Sequence, residues 1–183
     1  MLQASDIVIP TAANTLVGRV REVEDMVERK CRDVVKAGST VWVCQSWKAR
    51  VGDVQNFGKA FANPAVYFLE GSAHPAGTEH AAKQMSVDRK QWVPLPNGLS
   101  KVTGKLPGGG LVLGSLKSVA DHEIDLWDYV EHPALTPLKF QQGASTVCAV
   151  AAPNGQAIGM KSHKRKVVAV GHLAPPLAVY LKA

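Results

Sequence analysis

A chain of 183 residues, 46% of them hydrophobic, can build one domain with a real core or two small ones, and a globular rather than a disordered chain is expected. Its net charge of +6 and pI near 9.3 favour phosphate or acidic surfaces as partners, although a mildly basic solvated surface is the plainer explanation. The three cysteines, Cys31, Cys44 and Cys148, are odd in number and far apart, so they outline neither a disulfide framework nor a CxxC metal site, and a reducing compartment is expected.

The first segment, MLQASDIVIPTAAN, lacks the basic and apolar regions of a signal peptide. No run approaches the ~20 apolar residues of a membrane span, so a soluble, cytoplasmic protein is expected. From 15 to 36 the spacing predicts a helix, with Leu16, Val20, Val23, Val27, Cys31 and Val34 along one stripe. Asn14 or Thr15 can cap its start, and Gly38 stands at its C-terminal cap. The stripe suits packing on the chain's own domain, docking to a partner or self-association. Residues 1–38 accordingly form an expected N-terminal helical arm.

After Gly38, short apolar runs alternate with Gly, Pro and Asn: STVWVCQSW, AVYFLEG, KQWVPLPNG, LVLGSLKSV, EIDLWDYV, STVCAVAAPNG, QAIGMKS, KVVAVGHL and LAVYLKA. Such runs predict strands, and their number points to a mostly-β barrel or sandwich over 39–183. GTEHAAKQM could hold a short helix, and PGGG at 107–110 and PNG at 96–98 and 153–155 are expected turns. PGGG carries no phosphate-cradling pattern.

Within EIDLWDYV, strand alternation puts Ile124, Leu126 and Val130 on one face and Asp125, Trp127 and Tyr129 on the other. An acid sharing a face with two aromatics needs a partner or a role. The six histidines, His74, His80, His122, His132, His163 and His172, show no HExxH or HxH spacing, so no metal is expected. KSHKRK is the densest basic cluster, placed where a hairpin loop would fall; Lys161, Lys164, Arg165 and Lys166 could contact RNA, although base stacking would want aromatics that the cluster lacks.

The order of features from Gly77 onward resembles the chymotrypsin-fold serine proteases, especially the trypsin-like domains of positive-strand RNA virus polyproteins such as those of sobemovirus-like viruses. GTEHAAK around His80 is similar to the family's histidine signature, EIDLWDYV to its acid-bearing strand, and TPLKFQQGASTVCAVAAPNGQ to the passage opening its second barrel. The resemblance implies a partial trypsin-like double β-barrel, with a first barrel over 39–135 and an incomplete second over 136–183. It also implies His80 as general base, Asp125 as the carboxylate that orients it, a polypeptide or polyprotein substrate and no cofactor. Asp121 and Asp128 compete with Asp125 for that role.

The sequence departs from the family at one decisive place, because it contains no G-x-S-G nucleophile segment. GAS at 143–145 is the nearest approach, yet Ser145 lies only 20 positions after Asp125, too few for the strands that should intervene. In the preferred register the missing serine would fall shortly beyond Ala183. Cys148, in an alternating apolar strand, suits a core thiol rather than a substitute nucleophile. A viral polyprotein protease domain, truncated or degenerate and inactive as this chain alone, is therefore the expected function, since loss of a triad nucleophile costs about 10⁶ in turnover. The alternative is a non-enzymatic viral structural or RNA-associated protein built on a basic β domain.

Overall fold

The computed structural model describes residues 15–20, 24–44, 51–70, 79–95, 101–103, 108–137, 146–151 and 164–182. They form a mostly-β protein with two helices. In chain order the elements are β1 (Thr15–Val20), α1 (Glu24–Ala37), β2 (Thr40–Cys44), α2 (Val51–Ala60), β3 (Ala65–Glu70), β4 (Glu79–Ala81) and β5 (Gln84–Ser86). There follow β6 (Val93–Pro94), β7 (Lys101–Thr103), β8 (Gly109–Asp125), β9 (Tyr129–Glu131), β10 (Thr136–Pro137), β11 (Thr146–Ala151) and β12 (Lys164–Lys182).

Ten strands make one sheet in the order β10-β9-β11-β1-β3-β12-β5-β6, with β8 joined to β12 and carrying β2 on its other side. β4 and β7 form a separate two-stranded ribbon. No closed barrel is seen among the described residues. β1 runs parallel to β3 and antiparallel to β11. Such a parallel pair needs a crossover connection, which here holds α1, β2 and α2.

The expected helix over 15–36 is therefore a strand followed by a shorter helix. Thr15, Val17 and Val20 are β-branched and Gly18 is a weak helix former, so the first part of the segment gains more from pairing on both sides than from helical bonds. The expected boundary after residue 38 has no counterpart in the sheet either, since β1, before it, is bonded to β3 and β11, after it.

Where α1 does form, the stripe behaves as its spacing predicts: Val27 is buried, and Cys31 and Val34 pack against the main core. Gly38, at φ 74°, ends the helix by donating its N–H to the Val34 carbonyl. The Cys31 thiol donates to the Leu116 carbonyl on β8 at 3.3 Å and fastens the helix to that strand.

α2 was hidden in the sequence by Gly52 and Gly58, both poor helix formers. Tertiary packing supplies what propensity lacks: Val51, Val54 and Phe57, three residues apart, are at most 1% exposed. The Phe57 and Phe61 rings lie 4.8 Å apart, and both present themselves to the edge of His132 at 5.5 and 5.4 Å. This burial pulls the His132 imidazole below its usual pKa.

β3 shows how the sheet divides the interior. Phe68 enters the main core beneath the helices, while its neighbour Leu69 enters a smaller cluster with Ile124, Leu126, Ala149 and Val167. A third cluster unites Val41, Val112, Val179 and Leu181 with Ala82 and Leu95. Ile124, Leu126 and Val130 are all buried, as alternation predicts, but EIDLWDYV is not one strand. β8 ends at Asp125, a 3-10 turn spans Leu126–Asp128, and β9 starts at Tyr129.

KVVAVGHL and LAVYLKA are likewise not two strands but parts of β12, whose antiparallel pairing with β8 runs from Lys164 opposite Asp125 to Tyr180 opposite Gly109. Between Leu173 and Ala178 the register slips and Ala174–Leu177 bulge from the ladder, with Leu177 at φ 73°. From Glu79 on, GTEHAAKQM contributes β4 and part of β5 rather than a helix. Gly109 and Gly110 of PGGG open β8, whereas both PNG sequences and QAIGM lie outside the described residues.

At Gly171 a Cβ would stand 2.6 Å from the backbone oxygen of Ser115, on the paired strand. Gly171→Ala is expected to destabilise the protein by about 1–3 kcal/mol, since the ladder must distort to admit one methyl. Urea unfolding checks this as a lowered midpoint with an unchanged m-value.

α1 also buries a charge. Lys30 is 2% exposed, with its ammonium 3.7 Å from the Asp33 carboxylate, which in turn accepts a hydrogen bond from Thr40. Desolvation, opposed by Asp33, lowers the Lys30 pKa from 10.5 to about 8. Between those values the unfolded chain holds a proton that the folded one has released, so stability rises as pH climbs from about 8 to 10.5. Lys30→Met should remove that rise in stability-against-pH curves.

Candidate functional site

The two residues expected to act together sit in different sheets. His80 is on β4, opposite Val102 in the small ribbon, and its side chain is outside the described residues. Asp125 closes β8 in the large sheet, half-buried and opposite Lys164. Its near neighbour is another acid: the Asp128 carboxyl is pushed up by burial and by the charge of Asp125. Tyr129, beside them, is pushed up to about 12 by burial, Tyr67 and Asp128. Tyr67 stacks on His122 with ring centres 5.9 Å apart.

The basic cluster differs from its expected setting. Lys164, Arg165 and Lys166 are not in a hairpin loop but begin β12, where they face Asp125, Ile124 and Glu123. Two of the three cations thus stand opposite an acid in the ladder, an arrangement that favours the pairing. Lys161 lies outside the described residues.

A hydroxyl and an imidazole meet elsewhere, as Ser115 Oγ and His172 Nδ1 lie 3.1 Å apart across β8 and β12. Ser115 is in mid-strand rather than on a sharp turn whose N–H groups converge on an oxyanion. Among the described residues, no group of three His, Cys, Asp or Glu side chains could hold a metal ion. No described helix is long and apolar enough to cross a membrane.

Among the described residues, cations and aromatic rings also gather at the other end of β12. There β12 pairs with β5, Tyr180 opposite Ser86 and Lys182 opposite Gln84, and β5 pairs with β6. Leu181 and Met85, the alternate residues, pack in the third core cluster. Tyr180, on the other face, packs partly against the main core, and Lys182 is exposed.

The β5–β6 turn is held by one carboxylate. Asp88 Oδ1 accepts from the N–H of Lys90 at 2.8 Å, from that of Gln91 at 3.2 Å, and from the Ser86 hydroxyl at 3.3 Å. The N–H of Arg89 in turn donates to Ser86 Oγ at 2.9 Å. These bonds, that of Lys90 first, draw the Asp88 carboxyl below its ordinary pKa. This Asx-type turn sets Arg89 at φ 66°, a region that non-glycine residues seldom occupy.

The consequence is a pair of cations poised over rings. The Arg89 guanidinium lies 4.3 Å from the centre of Tyr180, and Lys182 Nζ lies 5.6 Å from the centre of Trp92. Exposed Lys83 and Lys90 belong to the same corner. Over 83–95 and 178–182, four cations, Lys83, Arg89, Lys90 and Lys182, face one acid, Asp88, which is already engaged by the turn. DRKQW and YLK carry the signal in sequence as cations interleaved with aromatics, but roughly ninety residues separate them and only strand pairing joins them.

Beside this corner is a groove of about 480 Å³ between the end of α2 and the β12 bulge, lined by Lys59, Asn63, Pro64, Val87, Pro175 and Pro176 among others. No protein-family model, curated protein or solved structure matches the chain.

Asp88→Ala should free the Lys90 and Gln91 amides and loosen the turn. Faster hydrogen exchange at those two amides, with core amides unchanged, checks this.

Proposed function

We propose that the chain binds single-stranded nucleic acid on the β5–β6–β12 corner, as a non-enzymatic, RNA-associated protein. The observation that carries this reading is the seating of Arg89 over Tyr180 and Lys182 over Trp92 on a face with four cations and one engaged acid. Rings supply surfaces on which bases stack whatever their sequence, and the cations track the phosphates. The partly exposed Trp92 offers its ring to a stacked base, Tyr180 packs against the main core and seats Arg89, and Lys83 and Lys90 are exposed at the same corner. The basic cluster at 164–166 is the weaker candidate because Asp125 and Glu123 stand opposite two of its cations.

A trypsin-like double barrel, and with it a truncated viral protease, is the competing reading. Its support is the mostly-β content and the half-buried Asp125. Against it stands the parallel β1–β3 pair, since barrels of that class are antiparallel.

Anisotropy of a labelled single-stranded oligonucleotide, read from about 50 to 200 mM salt, tests the binding reading. Four neutralised phosphates give a log–log slope of about −3, and Arg89→Ala with Lys90→Ala should shrink its magnitude by about 1.4. Trp92→Ala should weaken binding by about 1–3 kcal/mol. A slope near zero, or one that responds to Lys164→Ala and Lys166→Ala but not to the corner substitutions, would overturn the assignment.

A further inference from the structure

The groove beside the corner has features of a built site. α2 contributes Gln55, Gly58 and Lys59; Asn63 and Pro64 follow it; the β12 bulge contributes Leu173, Pro175, Pro176 and Leu177; and Val87 enters from the β5–β6 hairpin. Its volume of about 480 Å³ is within the range of small-molecule sites, roughly 300–1,000 Å³. Two of its residues are in the left-handed region, Asn63 at φ 49°, which asparagine tolerates, and Leu177 at φ 73°. Leu177, γ-branched and in the left-handed region, is costly to keep there, and such costs gather at ligand sites. Its side chain lies so close over Gly58 that no Cβ could be added there without displacing it.

The polar groups of the groove are few and specific. Gln55 Nε2 donates to the carbonyls of Val87 at 3.2 Å and Ala178 at 2.9 Å. Both amide hydrogens are thereby committed, which fixes the orientation of the amide and leaves Oε1 as an acceptor. Asn63 adds one donor–acceptor side chain. Among the described residues, Lys59 is the only charged one of the lining and no ion pair is recorded for it. The groove thus combines apolar walls, two amides and a single cation. Through Val87 it also adjoins the turn that carries Arg89, so it continues the face to which a strand is assigned.

The geometry points to a mononucleotide pocket in this groove, taking one nucleotide of the bound strand. The base lies against the proline and leucine walls, the Asn63 amide and Gln55 Oε1 meet its polar edge, and Lys59 meets the phosphate. This inference rests on the proposed nucleic-acid function and names the part of it that recognises a single residue of the strand.

Calorimetric titration of the full chain with adenosine 5′-monophosphate and uridine 5′-monophosphate tests it, with inorganic phosphate and octanoate as comparison probes. Saturation by at least one nucleotide is expected. Lys59→Ala, an exposed change on the last helical turn, should weaken that binding about tenfold by removing one charged contact. Lys117→Ala, an exposed change on β8 away from the lining, should leave it within about twofold. No saturation, no response to Lys59→Ala, equal affinity for phosphate alone, or preferential filling by octanoate would each overturn the pocket. Oligonucleotide binding without mononucleotide binding defeats the pocket alone; mononucleotide binding without oligonucleotide binding defeats the strand assignment and leaves the pocket.

Discussion

The antiparallel pairing of β12 is the constraint on which the rest of the molecule depends. One strand of 19 residues bonds to β8 over most of its length, to β3 along its first half and to β5 at its end. All three core clusters draw residues from it: Ala169 and Leu173 in the main core, Val167 in the second, Val179 and Leu181 in the third. A register slip of one residue would reverse the face of every one of these side chains, so the pattern of burial specifies the pairing strongly.

The same strand brings its charges to two different fates. At its start, Lys164 and Lys166 stand opposite Asp125 and Glu123, and the cross-strand pairs help to close a long ribbon. At its end, Tyr180 and Lys182 meet a short hairpin whose acid, Asp88, is consumed in holding the turn. Cations opposite acids favour the ladder, whereas those at the far end are seated over aromatic rings. The bulge at Ala174–Leu177 separates the two regimes and opens the groove against α2.

Much of this was legible from the chain, and what was not has physical reasons. Short apolar runs broken by turn residues revealed β2, β3, β11 and, as two separate runs, β8, and the stripe Val27–Cys31–Val34 revealed the part of α1 that packs on the core. β1 was hidden because Leu16 and Val20 continue that stripe in helical spacing, and pairing partners more than forty residues away decided the matter. Glycines concealed α2, and Pro175 and Pro176 made one bulged strand look like two. The candidate site was the least legible part. KSHKRK is conspicuous because its cations are consecutive, yet its balancing acids lie about forty residues upstream. Arg89, Trp92, Tyr180 and Lys182 are unremarkable singly and become a site only when β5 pairs with β12.

Amide chemical-shift mapping with an unlabelled single-stranded oligonucleotide tests the central claim most directly. Shifts concentrated at 83–94 and 180–182 and growing as salt is lowered are the predicted result. Shifts confined to 161–166, or none at any salt concentration, would contradict the account.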